Sequence, residues 1–268
     1  MSPPLRSVLA IGGSDCSGGG GVGLDTRAIS AFGLHPATAI TAVTVQNRTS
    51  FSSANPLEPG LVQAQIETIC DDLFPSAVKI GMLANGAIVS TVARMITGQK
   101  LKNRVLDPVL VSSSGGRLLE KEAITALTSE LFPLCDVITP NLPEAELLTQ
   151  MRLKTPDDIQ KAAALLQKMG PRCVIIKGGH AGGPNSGDLV CLDDQFFTLE
   201  APRIPGAQWR GTGCLFASAV AASLGSDEGG LAPEKLHRAK DFVTKVIQYS
   251  HKKSPSGGLL VFPSGFQA

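Results

Sequence analysis

The chain has 268 residues, 43% of them hydrophobic and 18% charged, which is enough apolar material to close one substantial core. Twenty-four Lys and Arg against 23 Asp and Glu leave a net charge of +1, and the aromatic residues are ten Phe, one Trp and one Tyr. Neither a basic surface for tracking phosphates nor a platform for stacking bases is indicated, so nucleic acid is not an expected partner.

Met1 to Gly13 carries one arginine and only a short apolar stretch, Val8 to Ile11, far below a signal-peptide core, so export is not expected. Ser7 to Ile11 reads as the first strand. The run Gly12 to Gly23 (GGSDCSGGGGVG) follows it and opens a helix marked by Leu24, Ala28, Ala31 and Phe32 at helical spacing. Exposed amides and missing Cβ atoms there admit a ligand closely, Gly13 included; the plain alternative is a glycine turn that binds nothing. Gly18, Gly20 and Gly23 match GxGxxG, yet residues 26 to 57 contain no Asp or Glu to hold a ribose, and a Walker A lysine is missing. From Ala28 to Asn47 the chain is uncharged, but Gly33, His35, Pro36 and Gln46 interrupt it, so it reads as buried α/β structure and not as a membrane span. The second strand is expected over Ala37 to Val45. Gln46 and Asn47 follow, with amides suited to reading a heterocycle or to satisfying local backbone.

Further strands are expected at Ala77 to Ile80, Arg104 to Leu106, Val137 to Thr139 and Cys173 to Lys177, alternating with helical stretches such as Ile124, Leu127, Leu131 and Ile159 to Met169. Thr155-Pro156-Asp157-Asp158 marks one helix start with a hydroxyl cap, proline and acids in the first turn. Asp107-Pro108-Val109 and Asn141-Leu142-Pro143-Glu144 place carboxylates where parallel strands end, which suits magnesium with phosphates; Asn141 and Glu144 also have capping-box spacing. Lys177, before Gly178-Gly179-His180, has the reach to touch nucleotide phosphate or simply to be solvated. Asp188 to Leu192 and Phe196 to Glu200 read as a hairpin around an Asp-Asp-Gln turn. Gly211-Thr212-Gly213-Cys214 then opens an uncharged helix to about Leu224, where freed amides and the helix dipole outline an anion hole. The same dipole favours a Cys214 thiolate, as base or nucleophile; the bland alternative is a small apolar residue beside a cap. A last helix, Pro233 to Ser250, is amphipathic. The six scattered cysteines lack zinc-site spacing and fit a reducing cytosol. The alternation predicts a mostly parallel sheet covered by helices on both faces, in one domain over residues 1–268.

Seven segments in register, AIGGSDCSGGGGVGLD (Ala10 to Asp25), TAVTVQN (Thr41 to Asn47), KIGML (Lys79 to Leu83), DPV (Asp107 to Val109), VITPNLPEAE (Val137 to Glu146), KGGH (Lys177 to His180) and GTGC (Gly211 to Cys214), carry a family resemblance. The chain resembles the hydroxymethylpyrimidine and phosphomethylpyrimidine kinases of thiamine biosynthesis, a branch of the ribokinase-like superfamily with a three-layer α/β/α fold. The resemblance implies ATP- and Mg2+-dependent phosphorylation of 4-amino-5-hydroxymethyl-2-methylpyrimidine and then of its monophosphate, by a cytoplasmic homodimer without a membrane partner. It implies substrate contacts at Gly13, Asp25, Gln46, Met82 and Val109, with Gln46 reading the aminopyrimidine edge. Lys177, Asn141 and Gly213 are implied in nucleotide binding, and Asp107 and Glu144 in positioning magnesium. Gly211, Thr212 and Gly213 form the implied anion hole, with Cys214 at the catalytic position. Two departures matter. The wider superfamily has aspartate where this chain has Cys214, a feature shared with some pyridoxal kinases, and Gly23-Leu24-Asp25 lacks the polar residue usual in the first helix. A vitamin B6 kinase of the same fold and a non-catalytic pyrimidine-binding regulator are therefore the alternatives.

Overall fold

The computed structural model describes residues 5–111, 116–178, 186–204 and 208–268. Nine strands form one sheet: β1 (Ser7–Asp15), β2 (His35–Gln46), β3 (Phe51–Pro56), β4 (Ala77–Ile80), β5 (Arg104–Leu106), β6 (Val137–Ile138), β7 (Cys173–Ile176), β8 (Asp188–Leu192) and β9 (Gln195–Leu199), in the order β3-β2-β1-β4-β5-β6-β7-β8-β9. The strands from β2 through β7 in that order pair in parallel, while β3 at one edge and β8 and β9 at the other are antiparallel. Apolar alternation explains the burial of both faces. Leu9 and Ile11 of β1 join one core and Val8 and Ala10 the other, and Val78 and Ile80 of β4 are separated in the same way from Ala77.

Helices α1 (Gly21–Ala31), α7 (Thr212–Gly225) and α8 (Pro233–Lys253) cover one face. Helices α2 (Pro59–Asp72), α3 (Gly86–Gly98), α4 (Ala123–Ala126), α5 (Leu142–Thr149) and α6 (Pro156–Gln167) cover the other, so the expected three-layer α/β/α arrangement is present. The cap of α6 is the foreseen one: Thr155 Oγ1 accepts from the Asp158 amide at 3.1 Å and the Asp158 carboxylate accepts from the Thr155 amide. No helix among the described residues is long and apolar enough to cross a membrane.

Three elements differ from expectation. β3 is a polar, half-exposed edge strand whose composition gives no apolar alternation to read. The Ile124–Leu131 stretch keeps its buried face but widens into a π-helical turn at Leu127–Leu131 before a 3-10 turn at Phe132–Leu134, where Pro133 ends the helix. In the hairpin, Asp193 and Asp194 take φ of 46° and 65°, so the turn is two residues long and Gln195 already belongs to the strand. Gly179 and His180 lie outside the described residues.

Because the chain leaves β1 for β2 on one side and returns to β4 on the other, the carboxyl ends of β1 and β4 diverge into a crevice, the position at which open α/β sheets bind ligands. Two further contacts hold its rim. Lys240 of α8 pairs with Asp188 at 2.7 Å, both nearly buried, and Asp188 Oδ1 accepts from the Gly178 amide at 3.0 Å, which ties the segment after β7 to an outer helix. A short parallel pair, β10 (Trp209–Arg210) with β11 (Gly258–Leu259), fastens the approach to α7 onto the C-terminal segment. Lys240→Ala leaves Asp188 buried without its counter-charge, and the expected loss is about 3–5 kcal/mol, seen as a lower urea midpoint with an unchanged slope.

Candidate active site

The crevice is a cleft built from the carboxyl ends of β1, β4, β5, β6 and β7 and the start of α7. Two glycine elbows form its floor. Gly21 has φ +59°, and a Cβ there would lie 2.2 Å from the Gly13 carbonyl; Gly211 has φ +83°, and a Cβ there would lie 2.0 Å from the Gly19 carbonyl. Only glycine permits both the left-handed turns and this backbone-on-backbone packing. A register shift between Gly12 and Ser14 bends β1 at the same place and aims the loop into the cleft.

On one side lie Gly211, Gly213, Cys214, Asp107, Asn141, Glu144 and Lys177. Gly211 caps α7 with its backbone alone, and the first intrahelical bond runs from the Leu215 amide to the Gly211 carbonyl at 2.8 Å. The amides of Thr212, Gly213 and Cys214 precede that bond, so they have no intrahelical acceptor. Lys177 Nζ donates to Asp107 Oδ1 at 2.7 Å, and Thr139 Oγ1 donates to the same oxygen at 3.2 Å. Burial disfavours the Lys177 ammonium, but Asp107 and Glu144 outweigh it and raise its pKa. Asn141 and Glu144 do form a capping box, with the Glu144 amide donating to Asn141 Oδ1 at 2.9 Å and the Asn141 amide to Glu144 Oε2 at 2.8 Å. The cap leaves both on the cleft wall. Burial pushes the Glu144 carboxyl up to about 7, Lys177 opposing and Asp107 adding.

The lining also includes Gly13, Thr44, Gln46, Met82, Val109 and Leu118, mostly apolar with Thr44 and Gln46 as polar members. Thr41 Oγ1 donates to the Met82 carbonyl at 2.6 Å and fixes the segment after β4. The Gln46 amide is held on both ends, its Oε1 accepting from Arg210 and its Nε2 donating to Thr44 Oγ1 at 2.9 Å.

Two expected residues are placed differently. Asp25 does not line the cleft: it is fully buried, its Oδ2 accepting from Lys79 Nζ at 2.8 Å and its Oδ1 from Ser218 Oγ at 2.7 Å. Its helical position points it at the sheet, so any effect on a ligand passes through Lys79, which does line the cleft. Thr212 is likewise absent from the residues that line the cleft. The Cys214 thiol is corrected too. Burial pushes it up to about 11, with Asp107 and Asp25 adding, and Lys79 and a Gly21 amide only partly opposing, so the thiol and not the thiolate is present at neutral pH.

Lys79, Arg210 and Asp15 were not singled out from the sequence. Lys79 is a lone cation in the apolar strand Ala77–Ile80, and Arg210 stands directly before a glycine cap; those are the signals that were available. Burial disfavours the Lys79 ammonium, but Asp25, then Cys214 and Asp107, hold its pKa above the usual lysine value. No group of three His, Cys, Asp or Glu able to enclose a metal occurs among the described residues. Two carboxylates, Asp107 and Glu144, line the cleft with Lys177, a donor set too small to enclose an ion but compatible with a hydrated one.

The geometry gives a pH test. Glu144 binds its proton more tightly folded than unfolded, so its contribution is greatest below the ordinary carboxyl range and fades as pH rises through about 7. In Glu144→Gln, which keeps the cap, the loss of stability between about pH 5 and about pH 8 is expected to be smaller than in the wild type, as read from urea melts.

Compared with known proteins, residues 15–259 match the family model described as phosphomethylpyrimidine kinase. The hydroxymethylpyrimidine/phosphomethylpyrimidine kinase of Haemophilus influenzae is 40% identical over 249 residues, spanning 91% of this chain and 92% of the relative. Among solved structures, phosphomethylpyrimidine kinase from Clostridium difficile 630 superposes with a TM-score of 0.78 at 33% identity, covering 90% of this chain and 99% of that one. Pyridoxal kinase from Staphylococcus aureus, in complex with AMP-PCP and pyridoxal, gives a TM-score of 0.84 at 30% identity, covering 96% and 93%.

Proposed function

The chain belongs to the phosphomethylpyrimidine kinase family, and on that premise we propose that it transfers phosphate from ATP to hydroxymethylpyrimidine and then to the resulting monophosphate, for thiamine biosynthesis. The observation that carries this reading is that the amide-rich start of α7 and the Gln46 edge line one cleft. The ribokinase-like fold agrees with it.

In this reading the ring lies between Met82 and Val109 over Gly13, with its polar edge on Gln46. The amides of Gly211, Thr212, Gly213 and Cys214 take the transferring phosphoryl group, where fixed donors stabilise developing charge better than water that must reorganise. Lys177 and Asn141 meet the nucleotide phosphates. Asp107 and Glu144 would hold magnesium, directly or through water, and that ion would neutralise phosphate charge. Cys214 sits beside the attacking oxygen as the proton acceptor. Its thiol must first lose its proton, so the alcohol step gains from rising pH, whereas the second step attacks with a phosphate oxygen already ionised. Residues 1–268 act as one domain, in a cytosolic homodimer. The fold likeness to pyridoxal kinase favours pyridoxal as the second reading; a non-catalytic regulator is disfavoured because Asp107, Lys177 and Gly211 all remain at the cleft.

Coupled ATP consumption with hydroxymethylpyrimidine, its monophosphate and pyridoxal, each with and without magnesium, tests the assignment. Magnesium-dependent turnover of the first two, faster than of pyridoxal, is expected, and no turnover of either pyrimidine overturns it. Cys214→Ala is expected to slow the first transfer by about 100-fold or more and the second by less, and to flatten the rise of the first-step rate from about pH 7 to about pH 9. Equal losses in both steps contradict the role given to Cys214.

A further inference from the structure

Arg210 has no task in the proposed reaction, although it lines the cleft and contacts two of its polar residues, Gln46 and Asp15, besides the Asn47 carbonyl. We propose that Arg210 is a positioning residue that fixes which face of the Gln46 amide meets the substrate, so that the site selects rings presenting an acceptor nitrogen at that edge. The inference rests on the proposed pyrimidine-kinase function and deepens it.

An amide group can offer either an acceptor or a donor, and which one it offers depends on what its other end touches. The guanidinium of Arg210 has only donors, so the Gln46 atom it meets must be Oε1. At the other end Nε2 donates to Thr44 Oγ1 at 2.9 Å, and Thr44 spends its own hydroxyl proton on the Ser14 carbonyl at 3.0 Å. Every proton in this chain has one direction. The remaining Nε2 hydrogen is then the group left for a ligand, and it calls for a ring nitrogen carrying a lone pair. Arg210 is itself held from three sides. Its guanidinium also donates to the Asn47 carbonyl, its Nη2 lies 3.5 Å from Asp15 Oδ2, and its backbone is paired through β10 with Leu259 of β11. Asp15 Oδ2 is buried and has no hydrogen-bond partner among the described residues, which leaves Arg210 as its compensating charge and resists any swing of the guanidinium away from Gln46.

The test compares hydroxymethylpyrimidine with two analogues in which one or the other ring nitrogen is replaced by CH, binding being followed by the fluorescence of Trp209, the one tryptophan of the chain and the neighbour of Arg210. The wild type is expected to bind one of the two analogues about tenfold or more weaker than the pyrimidine, since a site built around a hydrogen bond rejects the ligand that lacks its partner. In Arg210→Gln, which gives Gln46 a neighbour able to donate or accept, that ratio is expected to fall to about two, with KM for the pyrimidine raised and kcat within about threefold. Arg210→Lys, which has donors only, is expected to keep most of the ratio. Should Arg210→Gln not fold, Arg210→Met carries the same expectation. An unchanged ratio in Arg210→Gln, or equal loss in the Gln and Lys variants, overturns the proposal. Equal binding of the pyrimidine and both analogues by an active wild type defeats this inference alone, whereas a wild type that neither binds nor phosphorylates the pyrimidine defeats the function beneath it.

Discussion

The ammonium of Lys79 held against Asp25 under the cleft floor is the constraint on which the site depends. The pair is fully buried, and removing two charges from water costs several kcal/mol per ion, which is repaid only with good geometry and further hydrogen bonds. Here Ser218 takes the second Asp25 oxygen, and the three residues come from β4, α1 and α7. Holding those elements together holds together the two glycine elbows at the starts of α1 and α7, both of which line the cleft. Even the residue after β4 conforms to the pair, since a Cβ on Gly81 would lie 2.7 Å from Lys79 Nζ. An apolar pair of similar volume would serve the core at less expense in desolvation. The charge also gives the cleft a fixed ammonium on its lining, in place before any ligand arrives.

How much of this was legible in the sequence follows from what each feature costs locally. Strands buried on both faces are predominantly apolar, so β1, β4 and β7 announce themselves as short β-branched or aliphatic runs, and the cap at Thr155 is spelled out by four adjacent residues. The walls of the cleft were also largely readable, because a glycine that must adopt positive φ or admit another backbone cannot be replaced by a residue with a side chain, and such glycines cluster at the elbows. What escaped notice depends on distant partners. β3 forms because β2 runs on past the sheet's other strands and offers an edge, and nothing in Phe51–Pro56 itself says so. Asp25 is a substrate contact by family resemblance, and only the distant Lys79 standing opposite it turns it into a buried ion-pair partner. Likewise the dipole of α7 favours a Cys214 thiolate in the one-dimensional view, but burial beside Asp107 and Asp25 outweighs it.

Of the same kind is the pairing of β10 with β11, since two residues on each side give no periodicity to detect. Its consequence concerns the order of synthesis. The wall carrying Gln46 is complete only when Arg210 is in place, and Arg210 is clasped by Leu259, a residue that leaves the ribosome after every other part of the cleft. The sheet and both helical layers have their partners earlier, but the substrate edge does not. A nascent chain of this protein therefore carries a nearly finished scaffold with an unfinished pocket, and ligand cannot template its folding until Leu259 has been made and has paired.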